Sequence, residues 1–376
     1  MADIKAAASG NWSSTATWSG GVVPVAGDVA YSNGFTVTID TSISVGSLRS
    51  SAGGTVSAVA GGSFTISSPN LTVTLANGIQ VSDIGVASIG LLSISASTGT
   101  TTVTATAGGI NGGSGTSFKA LVKSSTGALV INGACTAGTS GNGCYSLDDS
   151  GDGNVTINGD VTGSSGVSAG YGVNFSAGGT KTINGNSLGS TGPGIYNNTT
   201  ATIIITGNAI GGAGSSAQGV NNRSTGNVTI YGDAIGGGNA NAFGAYNNSS
   251  GSVTIRGSAI ANTGPGFGIN SNTGTHYVWG DVTASSNIHA IAKATNATLI
   301  IGRSGYTSTI TDAAYQAVNG GAWQAVSGAN YSYSVPLNTT GTVVLNKDGF
   351  SVGDGNVLIS DLVAALAPII AAANSA

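Results

Sequence analysis

The chain of 376 residues contains no glutamate; all 14 acidic residues are aspartate, set against ten lysines and arginines. Charged residues make up 6% of the sequence, where about 25% is usual for a soluble domain. Glutamate and lysine are the residues that dress exposed helix faces, so their scarcity argues against a helical bundle. Ten basic residues within a net charge of −4 leave no electrostatic footprint for nucleic acid, and none is expected as a partner. The longest apolar stretch, near Leu362 to Ala373, is too short to span a bilayer, so no membrane insertion is expected. Cysteine is nearly absent. Cys135 and Cys144 stand nine residues apart, too few for a metal cage, and compatible either with a local disulfide or with buried thiols. The opening residues Met1-Ala2-Asp3-Ile4-Lys5 lack the basic-then-apolar layout of a secretory signal.

Glycine, in contrast, supplies 64 residues, and Ser, Thr, Asn and Ala dominate the remainder. With 40% hydrophobic residues, a mean hydropathy of +0.23 and little net charge, the chain has enough apolar surface to bury a core and is not of disordered composition. Abundant Thr and Val point to strands, and the glycines and asparagines point to turns.

Internal periodicity gives the architecture. A short strand ending in a small residue recurs, as in Val155-Thr156-Ile157-Asn158-Gly159, Val228-Thr229-Ile230-Tyr231-Gly232 and Val253-Thr254-Ile255-Arg256-Gly257. From Ala107 through Gly133, Gly159, Gly185, Gly207, Gly232, Gly257 and Gly280 to Gly302 the spacings are 26, 26, 26, 22, 25, 25, 23 and 22. A second phase follows each glycine (Asp160-Val161, Asn186-Ser187-Leu188, Asp233-Ala234-Ile235, Asp281-Val282), and its apolar residue is expected to face inward. A third phase carries Gly219-Val220-Asn221-Asn222 and Gly244-Ala245-Tyr246-Asn247-Asn248. Three unlike short strands in fixed order, in coils of 22 to 26 residues, predict an all-β, single-stranded parallel β-helix solenoid. Its Val, Ile and Leu would stack inward, its third-phase asparagines would form amide ladders, and its corner glycines would supply backbone angles closed to other residues. An antiparallel sandwich would instead need hairpins between alternating strands.

The periodicity divides the chain into residues 1–55 as an N-terminal cap or attachment segment, 56–303 as the β-helix, and 304–376 as a non-repeat C-terminal capping or oligomerisation segment. Trp12 and Trp18 offer large apolar area for covering an open end or for docking. Near the C-terminus Val343-Val344-Leu345 reads as a strand, and Ser360 could cap a short apolar helix carrying Leu362, Val363, Leu366, Ile369 and Ile370, a second docking or oligomerisation candidate.

The N-terminal elements Asn11-Trp12, Trp18, Pro24, Gly27-Asp28 and the strand Phe35 to Ile39 resemble the opening of repeat-rich β-helix proteins found among structural proteins of tailed bacteriophages and among bacterial surface proteins. The likeness covers about 35 residues. It implies a non-enzymatic virion structural protein exposed on the particle, as a capsid decoration, head fibre or tail fibre. Such a protein would be made in the host cytoplasm without a signal peptide. Its expected partners are other virion proteins of capsid or tail, a homotrimeric arrangement, and host surface glycans. The alternatives are a tailspike-like polysaccharide-degrading enzyme and a bacterial surface adhesin located outside the cell.

Many β-helices act on polysaccharides, and a glycosidase needs two carboxylates at a defined separation. Asp233 and Asp281 share one corner phase two coils apart, about 9.6 Å by strand spacing, at the edge of the range for an inverting glycosidase. Asn186, Asn208 and Ser258 occupy the same phase, which favours an Asx-type turn role over a catalytic one. Of basic residues for a lyase, the repeat offers Arg223, Arg256, Lys181, Lys293, His276 and His289; Arg223 and Arg256 sit in different phases, and His289 falls near a position held elsewhere by glycine, which favours a packing or turn role. Calcium is the one cofactor with a candidate, through half-loops around Asp148 and Asp152 and around Asp354 and Asp361; neither completes the required ligand set. No aromatic platform for sugars is evident, Tyr196, Tyr231 and Tyr246 being isolated in the sequence.

Overall fold

The computed structural model describes residues 2–49, 62–80, 90–112, 119–138, 145–163, 173–214, 217–238, 242–262, 267–283, 291–293 and 297–301. It also describes the strands at 310–311, 317–318, 321–327, 330–333 and 343–345. The chain is a parallel β-solenoid, as predicted, with three faces per coil. The first face runs from Asp3–Lys5 and Val29–Tyr31 through Cys135–Thr136 and Ala234–Ile235 to Ile310–Thr311. The second comprises two sheets, one ending at Val173–Phe175 and the next starting at Ile195–Asn197. The third runs from Ile43–Val45 to Ala297–Ile301 and Val343–Leu345. Among the described residues the only helices are two 3-10 turns, Thr15–Thr17 and Ser19–Gly21, and no helix is long and apolar enough to cross a membrane.

Strict register builds the core. On the third face Val103, Ile131, Ile157, Ile183, Ile205, Ile230, Ile255 and Val278 stand one above another, all fully buried. Alternate residues such as Thr182, Ile204, Thr229 and Thr254 form the neighbouring outward row. Each buried aliphatic side chain contributes about 1.5–3 kcal/mol, and the branched side chains suit a pleated surface.

Two expectations about the repeat are corrected. On the first face the inward column is Val161, Ser187, Ala209, Ala234, Ala259 and Val282. Leu188, Ile210, Ile235 and Ile260 occupy the adjacent register position and are only half-buried. A shift of one residue reverses the face in a strand, and the larger side chain is here the outer one. Among the corner glycines Gly133 takes the expected positive φ, 149°, but the others described are selected by space rather than by dihedral angle. Gly159, Gly185, Gly207, Gly232, Gly257 and Gly280 do not take positive φ. A Cβ on Gly232 would lie 2.7 Å from the carbonyl oxygen of Gly207, and one on Gly257 would lie 2.6 Å from that of Gly232.

The ladders also run through the segment expected as a separate cap. Asp3–Lys5 pairs parallel with Val29–Tyr31, which pairs with Ser47–Arg49. Trp12 and Trp18 are buried, edge to face, with ring centroids 4.8 Å apart, and Trp12 packs 6.1 Å from Phe64. The Trp18 indole N–H donates to the Trp12 carbonyl at 2.8 Å. These rings cover the first end of the chain's own core, so they offer no surface to a docking partner. At the other end the pairing becomes antiparallel: Gly321–Ser327 pairs with Asn330–Tyr333, whose Asn330 meets Thr311. Val343–Leu345, read as a strand from sequence, extends the third face beside Leu299–Ile301. The expected helix with Leu362, Val363, Leu366, Ile369 and Ile370 lies outside the described residues.

Replacing Gly232 by alanine is expected to cost about 1–3 kcal/mol, because the backbone of the preceding coil must move to admit the methyl group. Thermal unfolding checks this; a melting temperature equal to that of the wild type would contradict selection by space.

Candidate functional site

The inward position at the end of each second-face strand carries the least ordinary chemistry of the fold. Ile94, Lys123, Asp149 and Phe175 stand in register there, and Asn197, Asn222, Asn247 and Ser271 do so in the following sheet. Asp149 accepts from Lys123 Nζ at 3.2 Å and from Lys181 Nζ at 2.5 Å, and all three side chains are fully buried. Lys181 reaches the same point from the third face, where it interrupts the apolar column between Val155 and Ile203. The other ammonium donors go to turn carbonyls. Lys123 donates to Ser125 at 2.7 Å, while Lys181 donates to Gly151 at 3.1 Å and Gly153 at 2.7 Å. Two ammonium groups thus share one carboxylate. Burial pushes the Lys123 amine below the usual lysine range, against the opposing attraction of Asp149.

Further along, amides take over the same task. Asn197 Nδ2 donates to Asn222 Oδ1 at 2.9 Å, and Asn222 Nδ2 to Asn247 Oδ1 at 3.1 Å. Asn222 and Asn247 also donate to the carbonyls of Gly226 and Gly251 at 3.1 and 2.8 Å. The predicted asparagine ladder is therefore present, and it is internal. Its successor Ser271 lies 3.0 Å from Nδ1 of the buried His276. Burial pushes that imidazole down to about 3, keeping it neutral. Lys181 and His276, considered as bases for a lyase, are both core residues.

The corner phase holding Asp233 and Asp281 forms a second ladder, directed at the backbone. The amide N–H of Asn186 donates to Asp160 Oδ1 at 2.7 Å, and that of Asn208 to Asn186 Oδ1 at 2.9 Å. The N–H of Asp233 donates to Asn208 Oδ1 at 2.8 Å, that of Ser258 to Asp233 Oδ1 at 2.7 Å, and that of Asp281 to Ser258 Oγ at 3.0 Å. Each side chain caps the equivalent residue one coil on. Asp233 and Asp281 stand two rungs apart with Ser258 between them.

Asp148 and Asp152, the calcium candidates, do not converge. Asp148 lies on the strand Tyr145–Asp149, ion-paired with Lys119 and accepting from Asn174 Nδ2 at 2.7 Å. Asp152 is exposed in the following turn, where it accepts the Gly178 N–H at 2.9 Å. Among the described residues no three His, Cys, Asp or Glu side chains cluster as metal ligands. Asp354 and Asp361 lie outside the described residues, as does Cys144. Cys135 is a free, buried thiol, pushed up to about 12 by burial.

An outer column was not recognised as a unit from sequence. Asn184 Nδ2 donates to Asn158 Oδ1, and Asn158 Nδ2 to Asn132 Oδ1, each at 2.7 Å. The column continues through Thr206, Tyr231, Arg256 and Trp279, the residues that follow the register-aligned Ile205, Ile230, Ile255 and Val278. The Arg256 guanidinium lies 3.9 Å from the Tyr231 ring centroid and 4.8 Å from that of Trp279. Tyr231, which looked isolated in the sequence, is one side of an aromatic–cation–aromatic stack. No family model, curated protein or solved structure matches the chain.

Asp149→Asn would leave two buried ammonium groups without a counter-charge and is expected to cost about 3–5 kcal/mol. Lys123→Met leaves a one-to-one ion pair but removes the donor of the buried Ser125 carbonyl, so it is expected to cost about 1–3 kcal/mol, less than Asp149→Asn. The unfolded chain holds the Lys123 proton more tightly than the folded one. Wild-type stability should therefore rise as pH approaches the ordinary lysine value of 10.5, and Lys123→Met should lose that rise. Denaturant titration across pH tests the set; an Asp149→Asn variant as stable as wild type would contradict the pairing.

Proposed function

We propose that this chain is a non-enzymatic structural protein of a bacteriophage particle, displayed on its surface as a capsid decoration, head fibre or tail fibre. The observation that carries the reading is the uninterrupted third-face ladder. Twelve strands in register, at about 4.8 Å per coil, give a rod about 53 Å long. Its interior is bonded from coil to coil by aliphatic columns, amide ladders and an ion triad. A rod of this kind gains length coil by coil and keeps a fixed direction, which suits a spacer standing off a surface. Other virion proteins as anchors, a trimeric arrangement, and host glycans as the outer contact belong to the same proposal.

Among the described residues Asp233 and Asp281 are the arrangement that supports a polysaccharide hydrolase instead. Their separation of about 9.6 Å lies at the limit for an inverting pair, and Asp233 is engaged by a backbone amide. Cryo-electron microscopy of particles from the source organism tests the proposal. The expected result is density for the rod at symmetry-related positions on capsid or tail. Absence from every particle, together with polysaccharide cleavage that is lost in Asp233→Asn or Asp281→Asn, would replace it with the enzyme reading.

A further inference from the structure

We infer that the outer column Tyr231–Arg256–Trp279 is a binding site for a carboxylate-bearing glycan, an inference that rests on the proposed contact between the rod and host glycans and names its location and chemistry. Tyr231 is 46% exposed, the highest value for any large aromatic side chain among the described residues. Exposed aromatic rings are uncommon on a surface otherwise made of Thr, Ser and Asn, and they provide flat apolar faces for the C–H side of a sugar ring. Arg256 supplies the polar half. Rings at 3.9 and 4.8 Å cover its two sides, and its Nε is buried without a hydrogen-bond partner. None of the ion pairs among the described residues includes it. The donors left to it are the Nη groups on the in-plane edge, the geometry that binds a carboxylate with two parallel hydrogen bonds.

The rest of the surface sharpens the assignment. The chain is net negative, so a general attraction for anions cannot account for binding, and recognition must come from a local group such as this guanidinium, which no described carboxylate neutralises. Among the described residues the other arginine–aromatic contact, Arg223 with Tyr196, has a single ring at 5.9 Å. In the Tyr231–Arg256–Trp279 column the groups alternate over two coil spacings, about 9.6 Å, so adjoining sugar rings could meet an aromatic face and the guanidinium in turn. Thr254 and Tyr277 stand in register beside the column on the same outward face and add hydroxyls for sugar hydrogen bonds.

Isothermal titration of the full-length protein with oligogalacturonate, oligomannuronate and oligosialate tests the inference, with carboxyl-reduced oligogalacturonate and a sulfated oligosaccharide as controls. At least one carboxylated oligomer is expected to bind. Reduction of its carboxyl groups and Arg256→Gln should each weaken binding about tenfold or more, and Arg256→Lys should retain part of the affinity. Tyr231→Ser, at an exposed position that leaves the core intact, should weaken binding several-fold with an unchanged melting temperature. Failure of all three carboxylated oligomers to bind, binding of the sulfated control alone, or equal binding by Arg256→Gln and Tyr231→Ser would overturn the inference. Rods seen on particles without any glycan binding would remove this site and leave the virion reading standing; binding by a chain absent from particles would do the reverse.

Discussion

A coil of this chain is incomplete by itself. Its strand amides and carbonyls, its inward side chains and its turns find partners only when the next coil lies on it at strand spacing. The other features of the molecule follow from that requirement. Apolar columns run from coil to coil because each residue covers the one below, and where Lys181 and His276 break one of them the polar group is buried in the same stack. Corner glycines recur because the carbonyl of the preceding coil occupies the space of a side chain. At the same corner Asp160, Asn186, Asn208, Asp233 and Ser258 present a side-chain oxygen to the backbone N–H of the next coil, so the turn is bonded axially just as the strands are.

The interior is not wholly apolar, and the reason is again backbone satisfaction. Turns between the second and third faces direct carbonyls inward at Ser125, Gly151, Gly153, Gly226 and Gly251, and these receive donors from Lys123, Lys181, Asn222 and Asn247. An unbonded buried carbonyl costs about 1–3 kcal/mol, so a polar side chain placed inside the rod is stabilising there. Ammonium groups do this with more donors than amides but bring charge, and Asp149 is the counter-charge. The change from lysine and aspartate to asparagine along this line is a change of chemistry at a constant geometric task. The outer surface shows a comparable change, from the amide ladder of Asn132, Asn158 and Asn184 to the stack of Tyr231, Arg256 and Trp279.

The solenoid and its amide ladder were legible in the sequence because period and phase order are properties of the repeat, and Asn197, Asn222 and Asn247 recur at coil spacing. Inward and outward faces were less so. In Asp233-Ala234-Ile235 the larger residue looked like the core residue, but the two-residue strand turns Ala234 inward, and only inter-coil register decides that. The buried triad was hidden more deeply. Asp149 and Lys181 are 32 residues apart and lie on different faces, and Asp148-Asp149 read as part of an acidic loop because strand alternation sends the first outward and the second inward. Trp12 and Trp18 looked like docking groups, since nothing local reveals that Phe64, two coils on, completes their pocket. Tyr231 looked isolated because its neighbours Arg256 and Trp279 are 25 and 48 residues away in sequence.

Amide hydrogen exchange is the most direct measurement of the claim that coils complete one another. The amides of Asn186, Asn208, Asp233, Ser258 and Asp281 sit in turns, where exchange is ordinarily fast. Bonded to the preceding coil, they are expected to exchange as slowly as the strand amides of Ile205, Ile230 and Ile255. Exchange at the rate of open surface turns, with protection confined to the strands, would contradict the account.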